Sequence, residues 1–257
     1  MTAPPPSPLH LAVDDRGAPE VFRSIQGEGP MTGRVRTFVR LSGCNLHCAF
    51  CDTPYTWNWT GTDFAHEADR PGAPAKFDRA DEVLSLPVAE AAGLILADEP
   101  GGVVVTGGEP LLQRAALARL AAALRAARPG LGLEMETNGS LLPGPALEAV
   151  FDLFVVSPKL AFSGNDPALA TRRLGAWALI PSAVFKFVAR TPADVDEAAR
   201  LCAEAGIAAS RVFVMPEGTT PEALDAHAPA LWPRALNHGF GWSDRLHLRL
   251  FGDTRGT

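Results

Sequence analysis

Short runs of apolar residues recur along the chain, and longer segments with apolar residues three or four positions apart separate them. The short runs are rich in Val, Leu and Phe, which favours strands, whereas the longer spacing favours helices. Strands that alternate with helices predict right-handed crossovers and a parallel sheet, either open or curled into a barrel, so we expect an α/β fold. The predicted strands are residues 35–41, 102–106, 131–137, 152–157, 183–188, 211–215 and 245–250.

Two predicted helices have the most regular pattern. Residues 110–130 carry leucines three and four positions apart and close on a Pro-Gly pair. Residues 191–207 begin with Thr191, a residue type that caps helix N termini, followed by Pro192 at the first helical position. Gly206 marks the end of this second helix.

Unusual polar residues collect directly after the predicted strands. In a β/α barrel or an open α/β sheet, the carboxyl ends of the strands share one face, and that face holds the active site. We therefore expect the segments after the strands to converge on one site. In chain order these segments are "SGCNLHCAFCDT", "TGGEP", "ETNG", "SPK" and "MPEG".

Composition and charge narrow the class of protein. The chain has 257 residues, 47% of them hydrophobic and 20% charged, which is ordinary for a globular protein with a sizeable core. The formal charge of −6 argues against a general binder of nucleic acids or membrane surfaces. The N terminus lacks a basic region followed by an apolar one, and no run approaches 18 apolar residues. Neither a secretory signal nor a membrane span is expected, and the cytoplasm is the expected compartment.

Two segments have no predicted part in the chemistry. Residues 1–18 are rich in proline and are expected to be a disordered lead-in to a single domain over residues 19–257. Residues 58–82 are polar without clear periodicity, and we expect them to form an excursion on the surface.

The cysteines carry the strongest chemical signal. Cys44, Cys48 and Cys51 lie within eight residues, directly after the first predicted strand. Three thiolates on one short loop can bind three irons of a cubane cluster and leave the fourth iron without a protein ligand. Such an open iron can bind and activate another molecule, which a closed four-cysteine site cannot do.

A structural zinc site is the alternative for the same cysteines. Structural zinc requires four ligands, usually as two separated pairs. His47 would be the fourth ligand, but its neighbour Cys48 hinders the ring from turning toward the same metal. The remaining cysteine, Cys202, lies in a helical segment and is predicted to be a small buried apolar residue.

The motifs resemble those of a known group of enzymes. "CNLHCAFC", with Phe50 before the last cysteine, resembles the cysteine motif of the radical S-adenosylmethionine (SAM) superfamily. "TGGEP" (106–110) resembles its glycine-rich second motif, whose backbone approaches SAM closely because glycine has no side chain. "FRSIQGEGPMTGRVRTFVRLSGCNLHCAFCDTPYTW", followed by "TGGEPLLQ", "ETNGS", "VSPK" and "FVMPEG", resembles the 7-carboxy-7-deazaguanine synthase family. The resemblance covers about residues 20–252.

This resemblance implies a fold, three cofactors and a reaction. The fold would be a partial (β/α) barrel whose first crossover is replaced by the cluster-binding loop. The cofactors would be a 4Fe-4S cluster, SAM and Mg²⁺. A radical derived from SAM would remove hydrogen from C6 of 6-carboxy-5,6,7,8-tetrahydropterin, and Mg²⁺ would steer a ring contraction to 7-carboxy-7-deazaguanine with loss of ammonia. The product would feed 7-deazapurine synthesis, most commonly toward queuosine in tRNA, without direct contact between this enzyme and nucleic acid.

The resemblance also assigns roles to individual residues, none of them catalytic beyond the radical that the cofactor holds. Cys44, Cys48 and Cys51 would bind the cluster. Thr53 would coordinate Mg²⁺ through its hydroxyl, and Arg40 would pair with the substrate carboxylate. Further substrate contacts would be Ile25, Gln26, Gly27, Thr106 and His247, and SAM contacts would be Phe50, Cys51, Asp52, Gly108, Glu136, Thr137, Asn138, Ser157, Pro158, Lys159, Met215, Pro216, Glu217 and Gly218.

Several of these residues have a structural alternative, and the stretch "TNG" (137–139) is also a good turn sequence. Phe50 and His247 could belong to the core, the latter on the last predicted strand. Arg40 could be a solvated charge near a strand end, and Thr53 could cap the turn before Pro54.

Three other functions stay open on the sequence. An activase of glycyl-radical enzymes would usually bring added cluster-binding cysteines, and only Cys202 is left over. A ferredoxin-like electron carrier would complete its cluster with a fourth cysteine and leave the Gly-Gly-Glu-Pro turn without a purpose. A zinc-stabilised interaction domain would be colourless. The family resemblance implies a flavodoxin or ferredoxin as electron donor, and a homodimer.

Overall fold

The computed structural model describes residues 7–69 and 76–257, and one ten-stranded sheet organises this part of the chain. Six of the seven predicted strands are confirmed, each with bounds within one residue of the prediction. The strands are β1 (Leu9–Ala12), β2 (Val21–Ile25), β3 (Val35–Leu41), β4 (Val83–Leu86), β5 (Gly102–Gly107), β6 (Gly132–Thr137), β7 (Leu153–Val156), β8 (Ala183–Ala189), β9 (Val212–Pro216) and β10 (Gly241–Trp242).

The sheet has a parallel part and an antiparallel part. β3 and β5 to β10 run parallel to one another, while β1, β2 and β4 join antiparallel next to β3 or β1. The strand order is β10-β9-β8-β7-β6-β5-β3-β1-β4, and β2 pairs with β3 off this path. Within the described residues the path ends at β10 and β4 without closing, as in a partial barrel.

The helices are α1 (Arg79–Glu82), α2 (Val88–Ala97), α3 (Arg114–Ala127), α4 (Pro145–Glu148), α5 (Pro167–Thr171), α6 (Leu174–Ala178), α7 (Pro192–Ala205), α8 (Pro221–Asn237) and α9 (Leu246–Phe251). Most of them lie between successive parallel strands, whereas α1 precedes the antiparallel β4 and α9 follows the last strand. The predicted helix at 110–130 is a 3-10 turn (Pro110–Gln113) followed by α3, and the one at 191–207 is α7. Thr191 caps α7 in a reciprocal capping box with Asp194. In the described ranges, no helix combines the length and apolarity needed to cross a membrane.

The two faces of the parallel strands carry different residues. Val39 and Leu41 of β3 are fully buried in the main core, where the helices pack against the sheet. Arg40 lies between them and points to the opposite face, because successive residues of a strand alternate. Thr106 and Glu136 share that face, and all three line one cavity. Apolar side chains are therefore buried between the sheet and the helices, and polar side chains of the same strands face the cavity.

The predicted strand at 245–250 is wrong, because this segment is helix α9. The alternation of "LHLRL" imitates a strand, but only Leu248 is buried in the helix, while Leu250 is exposed. The amide of Leu246 donates to the carbonyl of Gly27 over 3.0 Å, so the segment packs on the β2 end of the site. The edge beside β9 is taken instead by β10, which the pattern did not predict.

The prediction that residues 1–18 are disordered is wrong for residues 7–18, which the structure describes and which include β1. β1 pairs with β3 and β4, and its residues Leu9 and Leu11 are fully buried, so the burial of an apolar strand outweighs the nearby prolines. Residues 1–6 lie outside the described residues, as do residues 70–75 of the predicted excursion. The single domain over 19–257 stays a prediction.

Candidate active site

A cavity of about 820 Å³ opens at the carboxyl ends of the parallel strands. All five polar segments that follow predicted strands contribute to its wall, as do the end of β2 and the C-terminal residues. Every residue predicted for the site lines this cavity except Pro158. The convergence expected from the strand ends is therefore found, although lining the cavity does not by itself assign a role.

The cysteine loop follows β3 and lies at the wall of the cavity. Cys44, Cys48 and Cys51 are free thiols that line it together. Cys51 closes a turn by donating its amide to the carbonyl of Cys48 over 3.1 Å. Phe50 stacks on Phe162 with ring centroids 4.8 Å apart, which anchors the loop beside the third cysteine.

The donor set fits an iron–sulfur cluster. Burial raises the pKa of Cys44 to about 12 and that of Cys51 to about 11, so these thiols carry protons at neutral pH until a metal displaces them. In the part of the chain that is described, no three His, Cys, Asp or Glu side chains are grouped to hold a single ion. A cubane cluster needs no such convergence, because each thiolate binds a different iron.

N–H groups point at the cysteine sulfurs. The amide of Leu46 lies 3.5 Å from Sγ of Cys44, and Nδ2 of Asn138 lies 3.8 Å from the same sulfur. Nδ2 of Asn165 lies 3.2 Å from Sγ of Cys48. Such donors stabilise the negative charge of cluster thiolates, which is a second feature that suits an iron–sulfur site.

The glycine turn after β5 packs directly on the start of the cysteine loop. A Cβ atom on Gly108 would lie 2.2 Å from the carbonyl oxygen of Gly43 and 3.0 Å from Cβ of Cys44. Gly107 has φ +135°, and a Cβ there would lie 2.0 Å from the carbonyl oxygen of Leu41. The two glycines thus allow two backbone segments to pack closely against each other. The sequence also predicts that they allow the backbone to approach SAM closely.

A buried carboxylate ties the glycine turn to the end of β6. Glu109 is fully buried and accepts from the Thr137 hydroxyl over 2.8 Å and from the Asn138 amide over 2.8 Å. It also accepts from the amide of Leu111 over 2.9 Å, while burial raises its pKa. The hydroxyl of Thr137 is therefore engaged by Glu109, and the predicted SAM contact of this residue stays a prediction.

The remaining residues predicted to contact SAM lie on two further strand ends. Lys159 donates to the Ser157 hydroxyl over 3.0 Å after β7, which turns this lysine along the cavity wall. Glu217 follows β9 and accepts from Arg190 over 3.1 Å. Met215, Pro216 and Gly218 complete this part of the wall.

The residues predicted to bind substrate meet on the inner face of the barrel. Glu136 accepts from Gln26 over 3.1 Å and from the Thr106 hydroxyl over 2.9 Å. Glu136 was predicted to contact SAM, but these two partners are substrate candidates. Glu136 therefore lies beside two residues predicted to bind substrate, and its own ligand stays a prediction.

Arg40 is held in place by a buried carboxylate. Its Nε donates to Glu20 over 2.7 Å, and the Tyr55 hydroxyl donates to the same carboxylate over 3.0 Å. Among the described residues these contacts engage Nε alone, so the two terminal nitrogens keep the planar fork that a carboxylate ligand requires. Arg40 is thus a fixed charge at the cavity and not a solvated strand end.

The sequence analysis missed a group of charges in the same cavity. Glu28 accepts from Arg245 over 2.9 Å and forms an ion pair with Lys186, and Arg245 also pairs with Asp52. Burial alone would raise the pKa of Glu28, but Lys186 and Arg245 hold it below its ordinary value. Arg245 further donates to the Gly218 carbonyl over 2.7 Å. One buried guanidinium therefore joins the cysteine loop, the segment after β2 and the β9 turn.

The C-terminal segment closes one side of the cavity. A Cβ on Gly27 would lie 2.0 Å from Nδ1 of His247, so this glycine allows α9 to pack on the β2 end. His247 lines the cavity from the helix, and burial lowers its pKa. The tail residues from 252 onward, apart from Gly256, line it as well, and Arg255 lies over the Tyr55 ring at 3.6 Å.

Thr53 lies between the cysteine loop and the following 3-10 turn (Pro54–Thr56). Its hydroxyl is 3.7 Å from Sγ of Cys51 and makes no capping hydrogen bond to the turn. The capping alternative is therefore not supported, and the hydroxyl lies at the cavity wall.

Comparisons with known proteins identify the family of this chain. The family model described as Radical SAM superfamily matches residues 38–228. Several curated proteins named 7-carboxy-7-deazaguanine synthase match this chain along most of its length. The one from Pyrobaculum aerophilum is 39% identical over 92% of this chain and 95% of its own length. The one from Hyperthermus butylicus is 42% identical over 89% and 90%, and the one from Rhodopirellula baltica is 37% identical over 93% and 87%.

A solved structure supports the fold independently. QueE from Escherichia coli aligns over 93% of this chain and 95% of its own length, with a TM-score of 0.59 and 21% sequence identity. The partial barrel implied by the resemblance is consistent with this match and with the open strand path. Since a radical SAM domain covers most of the chain, the electron-carrier and zinc-domain alternatives are not favoured. The chain belongs to the 7-carboxy-7-deazaguanine synthase family of the radical SAM superfamily.

Proposed function

We propose that this chain converts 6-carboxy-5,6,7,8-tetrahydropterin to 7-carboxy-7-deazaguanine, with loss of ammonia, in 7-deazapurine synthesis toward queuosine. The observation that carries this proposal is the single cavity that joins three cysteines, the Gly-Gly-Glu-Pro turn and a set of buried charges. The family assignment supplies the reaction, and the donor set suits the cofactors that the family implies. The activase alternative is not favoured by these relatives.

The chain's own residues would bind and orient the reactants. Cys44, Cys48 and Cys51 would hold the 4Fe-4S cluster, with the glycine turn beside it at the SAM end. When bound, the cluster and SAM supply the radical chemistry that starts the reaction. The protein contributes a fixed position for each reactant and a wall that limits access of water.

The charges at the other end of the cavity suit an anionic pterin. Arg40 is fixed by Glu20 through Nε, and its terminal nitrogens would receive the substrate carboxylate. Gln26 and Thr106, joined by Glu136, would contact the ring system. A 2-amino-4-oxo ring edge donates N–H groups, for which the half-buried carboxylate of Glu136 is a matching acceptor.

The test is a defined anaerobic assay. Reconstituted protein is reduced and incubated with SAM, Mg²⁺ and 6-carboxy-5,6,7,8-tetrahydropterin, and products are measured by mass spectrometry. We expect 7-carboxy-7-deazaguanine, with protein lacking the cluster as the control. Formation of 5′-deoxyadenosine without a deazaguanine product would keep the superfamily chemistry and overturn the substrate. A protein that binds one zinc and no cluster after reconstitution would overturn the enzyme itself.

Thr53 is proposed as the protein ligand of Mg²⁺. Replacing Thr53 with alanine removes the hydroxyl, so we expect the Mg²⁺ concentration for half-maximal activity to rise about tenfold or more. Thr53→Ser is the matched control, because it keeps the hydroxyl and should retain most of the Mg²⁺ response. Iron content should be unchanged in both variants. If the Mg²⁺ titration of Thr53→Ala overlays that of the unsubstituted protein, Thr53 is not a ligand.

The remaining proposals concern partners and location. We propose a flavodoxin or ferredoxin as the electron donor, a homodimer as the assembly, and the cytoplasm as the compartment. All four cysteines are free thiols, which supports a reducing compartment. No contact with nucleic acid or membrane is proposed, since the substrate is a small molecule.

A further inference from the structure

One polar side chain outside the predicted site touches a predicted cluster ligand. The segment after β7 lies against the cysteine loop, where the amide of Ala49 donates to the Ser163 carbonyl over 3.0 Å. Ala170 of α5 packs with Leu46 and Cys48 in a small apolar cluster. Asn165 lies in this segment, and none of the motifs in the sequence analysis includes it.

The amide of Asn165 has a defined orientation. Its Oδ1 accepts from the backbone N–H of His47 over 2.8 Å. A backbone N–H can only donate, so the oxygen must face His47 and the nitrogen must face the other way. Nδ2 is then 3.2 Å from Sγ of Cys48 and 3.2 Å from Oγ of Ser163. The two hydrogens of the amide therefore serve a sulfur and a hydroxyl.

This contact is shorter than the two N–H contacts to the sulfur of Cys44. The two donors to Cys44, from Leu46 and Asn138, are at 3.5 and 3.8 Å. Asn165 also reaches the loop from a distant part of the chain, 117 residues from Cys48. The contact therefore joins the 161–171 segment to the cysteine loop, which lies far from it in the sequence.

We propose that Asn165 is a positioning residue that raises the reduction potential of the cluster through a hydrogen bond to the Cys48 thiolate. Reduction adds one electron, and part of the added negative charge resides on the thiolate sulfurs. An N–H donor stabilises the reduced state more than the oxidised state, so the potential becomes less negative. The same residue holds the loop through its oxygen. This inference rests on the cluster site of the proposed function.

Two substitutions separate the donor from the loop contact. Asn165→Leu removes the donor and the acceptor without adding charge. Asn165→Asp keeps an oxygen for the His47 amide, removes the donor and adds a negative charge. We expect Asn165→Leu to lower the equilibrium constant for reduction of the cluster roughly tenfold. For one electron this makes the midpoint potential about 59 mV more negative. Asn165→Asp should shift further in the same direction.

The measurement is a redox titration of the reconstituted protein without SAM, followed by the electron paramagnetic resonance signal of the reduced cluster. Leu169→Ala is the control, because Leu169 packs against the same loop without a polar contact to sulfur. Looser packing admits water, which stabilises the reduced cluster, so this control should leave the potential unchanged or make it less negative.

Three outcomes would overturn the inference. The potential of both Asn165 variants could equal that of the unsubstituted protein, or Leu169→Ala could reproduce the negative shift. Loss of the cluster in both Asn165 variants would assign Asn165 a purely structural role. Failure of the proposed function is distinguishable, because it would appear as missing iron or missing product in the unsubstituted protein.

Discussion

Replacing Cys51 with alanine is expected to give a protein that takes up no stable 4Fe-4S cluster and forms no 7-carboxy-7-deazaguanine. Three thiolates are the minimum with which the loop holds three irons, and two leave the cluster with too few protein ligands. No spare cysteine can substitute, because the remaining one, Cys202, is buried in the main core on α7. Iron and sulfide content, the visible absorption spectrum and product formation would be measured after identical anaerobic reconstitution.

Cys202→Ala is the matched control for this loss. Cys202 is 3% exposed and packs as a small apolar residue, which confirms the sequence prediction. Its replacement removes one buried sulfur and should lower the free energy of unfolding by about 1 kcal/mol. Cluster content and activity should be unchanged. A brown, active Cys51→Ala protein, or a colourless Cys202→Ala protein, would show that the cluster ligands have been assigned wrongly.

The sequence predicted the parallel strands well because each is a short apolar run bounded by turn residues. β5 and β9, for instance, are buried on both faces along most of their length, so the pattern depends little on distant residues. The segment 245–250 alternates apolar and polar residues as a half-buried strand does, but it lacks this burial. Its conformation is decided by the contact with Gly27, which lies more than 200 residues away in the sequence.

The candidate site was predictable where local motifs carry the chemistry. The cysteines are recognisable from their spacing, and the glycine turn from its place after a strand together with the family resemblance. The structure brings the two together. Glu28, Lys186 and Arg245 were missed because each pairs across at least 158 residues. A signal was present in Lys186, a charge within the apolar run "AVFKFV" of β8. Such a lysine requires a buried partner, although the sequence does not identify which one.

The approach of the glycine turn to the cysteine loop leads to the second large expected effect. Gly108→Ala would place a Cβ 2.2 Å from the Gly43 carbonyl oxygen, more than about 1 Å inside van der Waals contact. Both partners are backbone, so the clash can be relieved only by moving the strand end or the loop. Moving the loop displaces Cys44, whose Cβ is 3.0 Å from the same point.

We expect Gly108→Ala to lower kcat/KM by about 100-fold, because a displacement of 1 Å in a positioned site has effects of this size. SAM affinity, measured by equilibrium binding to the reconstituted protein, should fall in parallel. Gly93→Ala is the control, because Gly93 is exposed on α2 and an added Cβ there would meet no atom within 4 Å. Alanine favours a helix over glycine, so the free energy of unfolding of this variant should rise by roughly 0.5–1 kcal/mol. If Gly108→Ala binds SAM and turns over like Gly93→Ala, the turn is not held against the cysteine loop, and the two motifs do not form one rigid cofactor site.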